Sequence, residues 1–490
     1  MKIILTVSML LTLLTSLIIA KYIAYPYPYI FATLSSAIVL ALFLPFVNDT
    51  CKGLGVSTST LRVTIPKKYI YILLLLILVI AHIVRYIGFT FISAVLFLLS
   101  YFVVGYSIIR LIGFTSLLDN LETIAFSFIL GSTYIALITF AASILLEIPV
   151  TQIILSLLIF VHLLLLFKED IKKIERHTQI TIDSNSLLRL VLIIAIVFSF
   201  YAFYYRDFVY IPETDIARHY MRATNIIRNP LNLFKISPDY YYIFHAIIGS
   251  LIVLSGERNF DIVNMLLILI NVIYIVSVIP FVRMVLKKGE NSHNIHVLVS
   301  IFIFTGLGWL YLLSNPPTNA SHYFSRLIEG NSRMYNNLMY TPSPLMWPVP
   351  LSFATATYLL LITLVFKIIR TEPNSLPISG VSLSVVSAML AIAMMGSHSP
   401  EAIMSALVLF VTIMLVDANR TLYVLNKLVV GFITGLVIVG LVNIAITIVS
   451  PHLVTATRLV AFLGTAILLG SALPLKKAFR RILGFLNRFS

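Results

Sequence analysis

Between residues 206 and 256 the chain reads RDFVYIPETDIARHYMRATNIIRNPLNLFKISPDYYYIFHAIIGSLIVLSG, and the side chains gathered there can do chemistry. Asp215, Arg218, His219 and Arg222 follow one another at i, i+3, i+4 and i+7, which puts them on one face of a helix. A carboxylate beside an imidazole can draw a proton from a hydroxyl or hold a metal ion, and His219 can shuttle that proton. Arg218 and Arg222 can clamp a phosphate or pyrophosphate through paired hydrogen bonds. Glu213, two residues before Asp215, offers a second carboxylate. The same face also has a plainer use. Asp215 near a helix start, with Arg218 one turn on, compensates the helix dipole and forms a surface ion pair.

Those residues need elements to position them. Thr214 suits an N-cap, Pro212 sets the entry and Asn229–Pro230 the stop, so a helix is expected from Asp215 to about Arg228. Its other face, Ile216, Tyr220, Ala223 and Ile227, is apolar, as in a helix lying along a membrane surface. Ser237 as N-cap and Pro238 at the first position open a second helix, which carries Asp239, Tyr241, Tyr242 and His245 into an apolar run. For His245 the plain reading is a satisfied histidine at an interface. Two further segments are polar. The stretch 314–347 holds His322, Arg326, Glu329, Arg333 and Tyr335, and its Asn, Arg and aromatic content suits sugar or phosphate contacts or a lid. The short GSHSPEA at 396–402 holds His398 and Glu401, and Glu401 reads first as a cap for the next helix. Asn319-Ala320-Ser321 fits a glycosylation sequon.

The remainder of the chain is apolar. Sixty per cent hydrophobic and 11% charged residues, with a mean hydropathy of +1.02, exclude an ordinary soluble domain. Apolar segments fall near 3–20, 29–47, 69–84, 89–109, 123–146, 150–167, 187–205, 240–254, 260–282, 296–313, 348–369, 381–396, 402–416, 428–449 and 455–474. Most match the roughly 20 residues that cross a bilayer as helix. The first segment resembles a signal peptide, but its length and the spans that follow point to an uncleaved helix. Cys51, the one cysteine, permits neither an internal disulfide nor a thiolate metal cluster. A net charge of +15 fits Lys and Arg held on the cytoplasmic side, so nucleic acid is not the partner it implies.

Charge also sets the topology. With the N-terminus inside and 240–254 not crossing, 23 Lys and Arg fall inside and 11 outside, six of the latter between residues 206 and 259. If 240–254 crossed, Lys287–Lys288 and the terminal KKAFRR would lie outside, against the positive-inside bias. The segment spans about 22 Å as helix, short of a hydrocarbon core of about 30 Å. It is therefore expected to be an interfacial or re-entrant helix on the outer face. The expected fold is an all-α polytopic membrane protein of about 14 transmembrane helices with membrane-parallel outer helices. Both termini are cytoplasmic and the location is the cell (plasma) membrane. Residues 1–186 form a six-helix membrane region and 187–475 a membrane core with outer loops 206–259, 314–347 and 396–402. Residues 476–490 form a basic cytoplasmic tail, read as an amphipathic segment on the inner leaflet or as a stop-transfer signal.

The pattern resembles the GT-C superfamily of membrane glycosyltransferases, which use polyprenyl-phosphate-linked sugars. In that family a span leads into an outer loop whose membrane-parallel helix bears an acidic residue, often near a His. A second outer helix of the type P-x-x-Y-x-x-x-x-H/A-x-x follows, then a returning span. The corresponding pieces are 187–205, Asp215 with His219, PDYYYIFHAIIGSLIVLSG and 260–282, and the likeness covers about 187–450. Here the acidic pair is Glu-Thr-Asp rather than Asp-x-Asp, and six spans precede the loop instead of the family's usual one. The large soluble outer domain and WWDYG motif of oligosaccharyltransferases are absent. The resemblance implies sugar transfer at the outer face, with Asp215, Glu213 and His219 catalytic. The acidic residue either assists the acceptor or helps hold a divalent cation, Mg or Mn, and the sequence leaves that cofactor open. It implies a lipid-linked sugar donor and membrane lipid as partners. Arg218, Arg222, Tyr241, His245, His322, Arg326, Arg333, Tyr335 and His398 are the expected substrate-binding residues.

Two other classes compete. A transporter or a lipid or polysaccharide flippase carries ionisable groups or broken helices near the midplane. The spans here offer only scattered candidates, His82, His162, Asn264, Asn271 and Asn443. A non-catalytic scaffold for envelope assembly is the third.

Overall fold

The computed structural model describes residues 61–64, 67–171, 179–182, 214–228, 241–258, 261–285, 350–370, 379–416, 419–449 and 453–486. Helices α1 (Lys67–Tyr86), α2 (Thr90–Leu111), α3 (Asn120–Leu145), α4 (Ile148–Ile171), α5 (Thr214–Arg228) and α6 (Tyr242–Ser255) come first. They are followed by α7 (Asp261–Val285), α8 (Pro350–Arg370), α9 (Gly380–Met395), α10 (Ser399–Leu415), α11 (Asn419–Val449) and α12 (Leu453–Leu486). The expected apolar segments 3–20, 29–47, 187–205 and 296–313 lie outside the described residues. One feature amends the all-α expectation. Strand β1 (Leu61–Thr64) pairs antiparallel with β2 (Gln179–Ile182), Leu61 opposite Ile182 and Thr64 opposite Gln179. Both four-residue strands alternate apolar and polar side chains, the period of a half-buried ribbon.

Among the described residues, seven helices are long and apolar enough to cross a membrane, and α1, α6, α9 and α10 are shorter apolar helices. Their outward faces are apolar as well. Ile153, Leu157 and Val161 of α4, and Ile403, Leu407 and Val411 of α10, are exposed in rows spaced by four. Such rows suit hydrocarbon and not water. The chain is a multi-pass helical membrane protein.

Helix α3 packs against α2, α6, α7 and α9. It meets α2 backbone to backbone: a Cβ on Gly105 would fall 1.8 Å from the Ser127 carbonyl oxygen, and one on Gly131 1.8 Å from that of Tyr101. Only glycine permits that approach. Because α3 precedes residue 187 and α6, α7 and α9 follow it, one apolar core runs across the division expected there.

Polar contacts fix which helix ends lie together. Asp119 and Glu122 form a capping box at the start of α3: Asp119 Oδ1 accepts from the Glu122 N–H at 2.9 Å, and Glu122 Oε2 accepts from the Asp119 N–H at 2.7 Å. Asp119 also pairs with Arg283 of α7 at 2.8 Å, and Glu122 pairs with Lys367 of α8. Ser382 of α9 donates to the Ile112 carbonyl, just past α2, at 2.6 Å. These contacts define the Asp119 end.

At the opposite end Thr90, the first residue of α2, donates to Glu257 at 2.8 Å. Arg85 donates to the Val253 and Leu254 carbonyls at 3.0 and 2.8 Å, which satisfies the last turn of α6. At the start of α6 the Ile243 N–H donates to the Gly396 carbonyl, just past α9, at 3.1 Å. Both ends of α6 therefore sit at this second end, which we call the His398 end. The 14-residue helix returns to the side it enters from.

Helix α6 is enclosed by protein. Every residue from Tyr242 to Ser255 is buried, with α2, α3 and α5 packed around it. It begins at Tyr242; Ser237, Pro238 and Asp239, where a helix start was expected, lie outside the described residues.

Candidate active site at the His398 end

Helix α5 occupies the expected residues but is turned differently. Its buried side holds His219, Ala223, Ile226 and Ile227, while Arg218 is exposed and Arg222 half-buried. The expected polar face is thus split, with His219 inward among apolar residues. The cause is the close approach of α6. A Cβ on Gly249 would lie 2.6 Å from Ile227 Cγ2 and 3.4 Å from the Ala223 carbonyl oxygen, so the missing side chain admits α5. His219 lies four residues before Ala223 and His245 four before Gly249. Each is one turn from the crossing, and that brings the two rings together.

His219 Nδ1 and His245 Nε2 are 2.6 Å apart. A neutral imidazole has one donor and one acceptor nitrogen, so one ring donates and the other accepts without net charge. That matters where the two residues are only 3% and 0% exposed. Phe244 closes over His219 edge-on, with ring centroids 5.7 Å apart. On the flank of α5 the Tyr220 hydroxyl donates to the Arg258 carbonyl. Burial pushes the Tyr220 phenol above its ordinary range and keeps it a neutral donor.

Tyr241 joins this pair to a second one. Its ring meets His219 and His245 edge-on, at 5.8 and 6.1 Å, and stacks on His398 at 6.3 Å with 10° between the planes. His398 is the N-cap of α10, yet its N–H donates to the Met394 carbonyl at 2.7 Å. In a capping box Glu401, three residues on, would take the N-cap N–H. Here that donor is used, and the Glu401 carboxylate binds His398 Nδ1 at 2.5 Å instead. Glu401 is buried, whereas the His398 side chain keeps 25% of its surface exposed. Ser397 beside it is fully buried, and its hydroxyl has no hydrogen-bond partner among the described residues.

Four expected site residues, His219, Tyr241, His245 and His398, therefore come together, with Arg218 and Arg222 on the adjoining helix. Asp215 stands in α5 one turn before His219, but its side chain lies outside the described residues. So do Glu213, His322, Arg326, Arg333 and Tyr335. Glu401, read from sequence as a cap, is the addition. The i, i+3 spacing to His398 was its signal.

Among the described residues no group of three or more His, Cys, Asp or Glu is placed to hold a metal ion. The described donors are mostly imidazole, whereas Mg²⁺ takes oxygen ligands, so the described residues do not fit that ion. The chain matches no protein-family model, no curated protein and no solved structure.

Proposed function

We propose that this chain is a GT-C-like membrane glycosyltransferase that moves a sugar from a polyprenyl-phosphate donor to an acceptor hydroxyl at the outer membrane face. The reading takes the His398 end as the outer one, and assigns the whole chain fourteen spans with both termini inside. The observation that carries it is the meeting of α5, α6 and the turn between α9 and α10 at one end of the bundle. There an imidazole pair and an imidazole–carboxylate pair share one tyrosine.

In this reading Asp215 orients the acceptor, and Arg218 and Arg222, with Arg326 and Arg333, meet the donor phosphate. The phosphate leaves with the lipid, so transition-state charge builds where guanidinium groups can stabilise it. The test is transfer of label from a polyprenyl-phosphate hexose to an alkyl glucoside in membranes carrying the protein. Wild type should transfer label, and Asp215→Asn should lose most of it. Undiminished transfer by the variant sinks the role of Asp215.

A lipid or polysaccharide flippase is the second reading. The short buried helix α6, with both ends at one end of the bundle, favours it, because discontinuous helices enclosed by protein form the substrate sites of many transporters. A fluorescent polyprenyl phosphate that changes leaflet without losing its sugar would select the flippase.

A further inference from the structure

We propose that His398, held by Glu401, takes the proton from the acceptor hydroxyl. The proposal rests on the transferase reading and moves to His398 a proton transfer that the residue pattern had assigned to Asp215 with His219.

The geometry is that of a positioned imidazole. Glu401 lies 2.5 Å from Nδ1, so with Nδ1 as the donor the Nε2 lone pair remains to accept. The N-cap N–H serves Met394 at the end of α9, and the carboxylate binds the His398 ring in its place. Its burial requires a partner, which the His398 ring supplies. Tyr241, stacked on the ring, fixes the imidazole plane. The imidazolium formed on proton uptake would at once be paired with Glu401.

The same carboxylate decides against another use. The sequence placed His398 among substrate-binding residues, and the substrate carries a donor phosphate. A buried carboxylate in contact with the ring repels that phosphate, so proton transfer suits the pair better than anion binding. The buried Ser397 hydroxyl, next to His398 in the chain, offers a hydrogen bond that the described residues leave unfilled.

In the step, the acceptor O–H bond breaks and its proton passes to His398 Nε2. The freed oxygen pair forms the bond to the anomeric carbon. The bond from that carbon to the phosphate oxygen breaks, and its electrons leave with polyprenyl phosphate. His398 then returns its proton to water. Glu401 touches neither reactant and is a positioning residue.

The experiment uses the full chain in lipid nanodiscs, a radiolabelled polyprenyl-phosphate hexose and an alkyl glucoside acceptor. His398→Ala should lower kcat about 10²–10⁴-fold, the usual contribution of a general base. Its KM for the donor should stay within about threefold of wild type, since phosphate contacts are untouched. Imidazole in the buffer should restore part of the rate to His398→Ala and none to Asp215→Asn. The ¹⁵N spectrum of wild type, with His398 assigned by its loss in His398→Ala, should show Nδ1 protonated and Nε2 bare. Glu401→Gln should weaken that preference while the protein keeps its wild-type elution and melting, which a merely structural role would not produce. Transfer by His398→Ala at the wild-type rate, a loss that imidazole does not restore, or a protonated Nε2 in wild type each overturns the assignment alone. A wild type that transfers no label overturns the transferase reading and this step with it.

Discussion

At the Asp119 end, Asp119 and Glu122 cap α3 and at the same time reach Arg283 and Lys367 on two other helices. At the His398 end, by contrast, two imidazoles share a hydrogen bond, a third is held by a carboxylate, and Tyr241 contacts all three rings. The first arrangement accounts for its charges: each closes a helix start or ties two helices. The second is not required by any helix end. His398 caps α10 through its backbone position, and its side chain bonds Glu401 instead of the helix start. Polar residues in a membrane protein are costly in both places, and only one place explains them by architecture.

Breaking the structural end should therefore cost stability and spare chemistry. Glu122→Ala leaves Lys367 without its buried partner, a loss of about 3–5 kcal/mol. Thermal melting in detergent should fall sharply, while transfer per folded molecule stays at the wild-type level. A variant that melts normally would show that the pair is not a clamp.

Gly249→Ala acts at the other end and should do both. The new Cβ meets Ile227, and overpacking of this kind costs about 1–3 kcal/mol. It also moves α5 away from α6, so transfer should fall with it through separation of His219 from His245. Lost stability with undiminished transfer would remove the histidine pair from the site. Tyr241→Phe keeps the ring contacts and should change transfer less than about threefold, whereas Tyr241→Ala should cost about tenfold by loosening the imidazoles. Equal activities for the two would show that the ring contacts are idle.

The smallest effect belongs to Asp119→Asn. Asparagine caps a helix as well as aspartate does, so only the half-exposed pair with Arg283 is lost. Melting should shift by the equivalent of about 0.2–1 kcal/mol. A drop comparable to that of Glu122→Ala would mean the two ion pairs act as one network.

Much of this was legible in the sequence. Apolar length gave the helices, and the stop at Asn229–Pro230 gave the end of α5. The 15-residue run at 240–254 was too short to cross, and the contacts at both ends of α6 agree with its returning to one end. The facing of α5 was not legible, because periodicity grouped His219 with Arg218 by polarity. Its partner proved to be a buried helix with glycine at the crossing, not a headgroup layer. The role of Glu401 was hidden for a similar reason. A carboxylate three residues into a helix predicts a cap, but the His398 N–H goes to Met394 and the carboxylate binds the His398 ring. Strands β1 and β2 pair across more than a hundred residues, a separation at which local pattern carries no signal.

The most direct test of the account is label transfer from a polyprenyl-phosphate hexose, compared among wild type, Asp119→Asn and Asp215→Asn in the same membranes. The account predicts transfer by wild type and by Asp119→Asn, with a fall of at least about 100-fold for Asp215→Asn at unchanged folding. Wild-type transfer by Asp215→Asn, or no transfer by wild type, would contradict it.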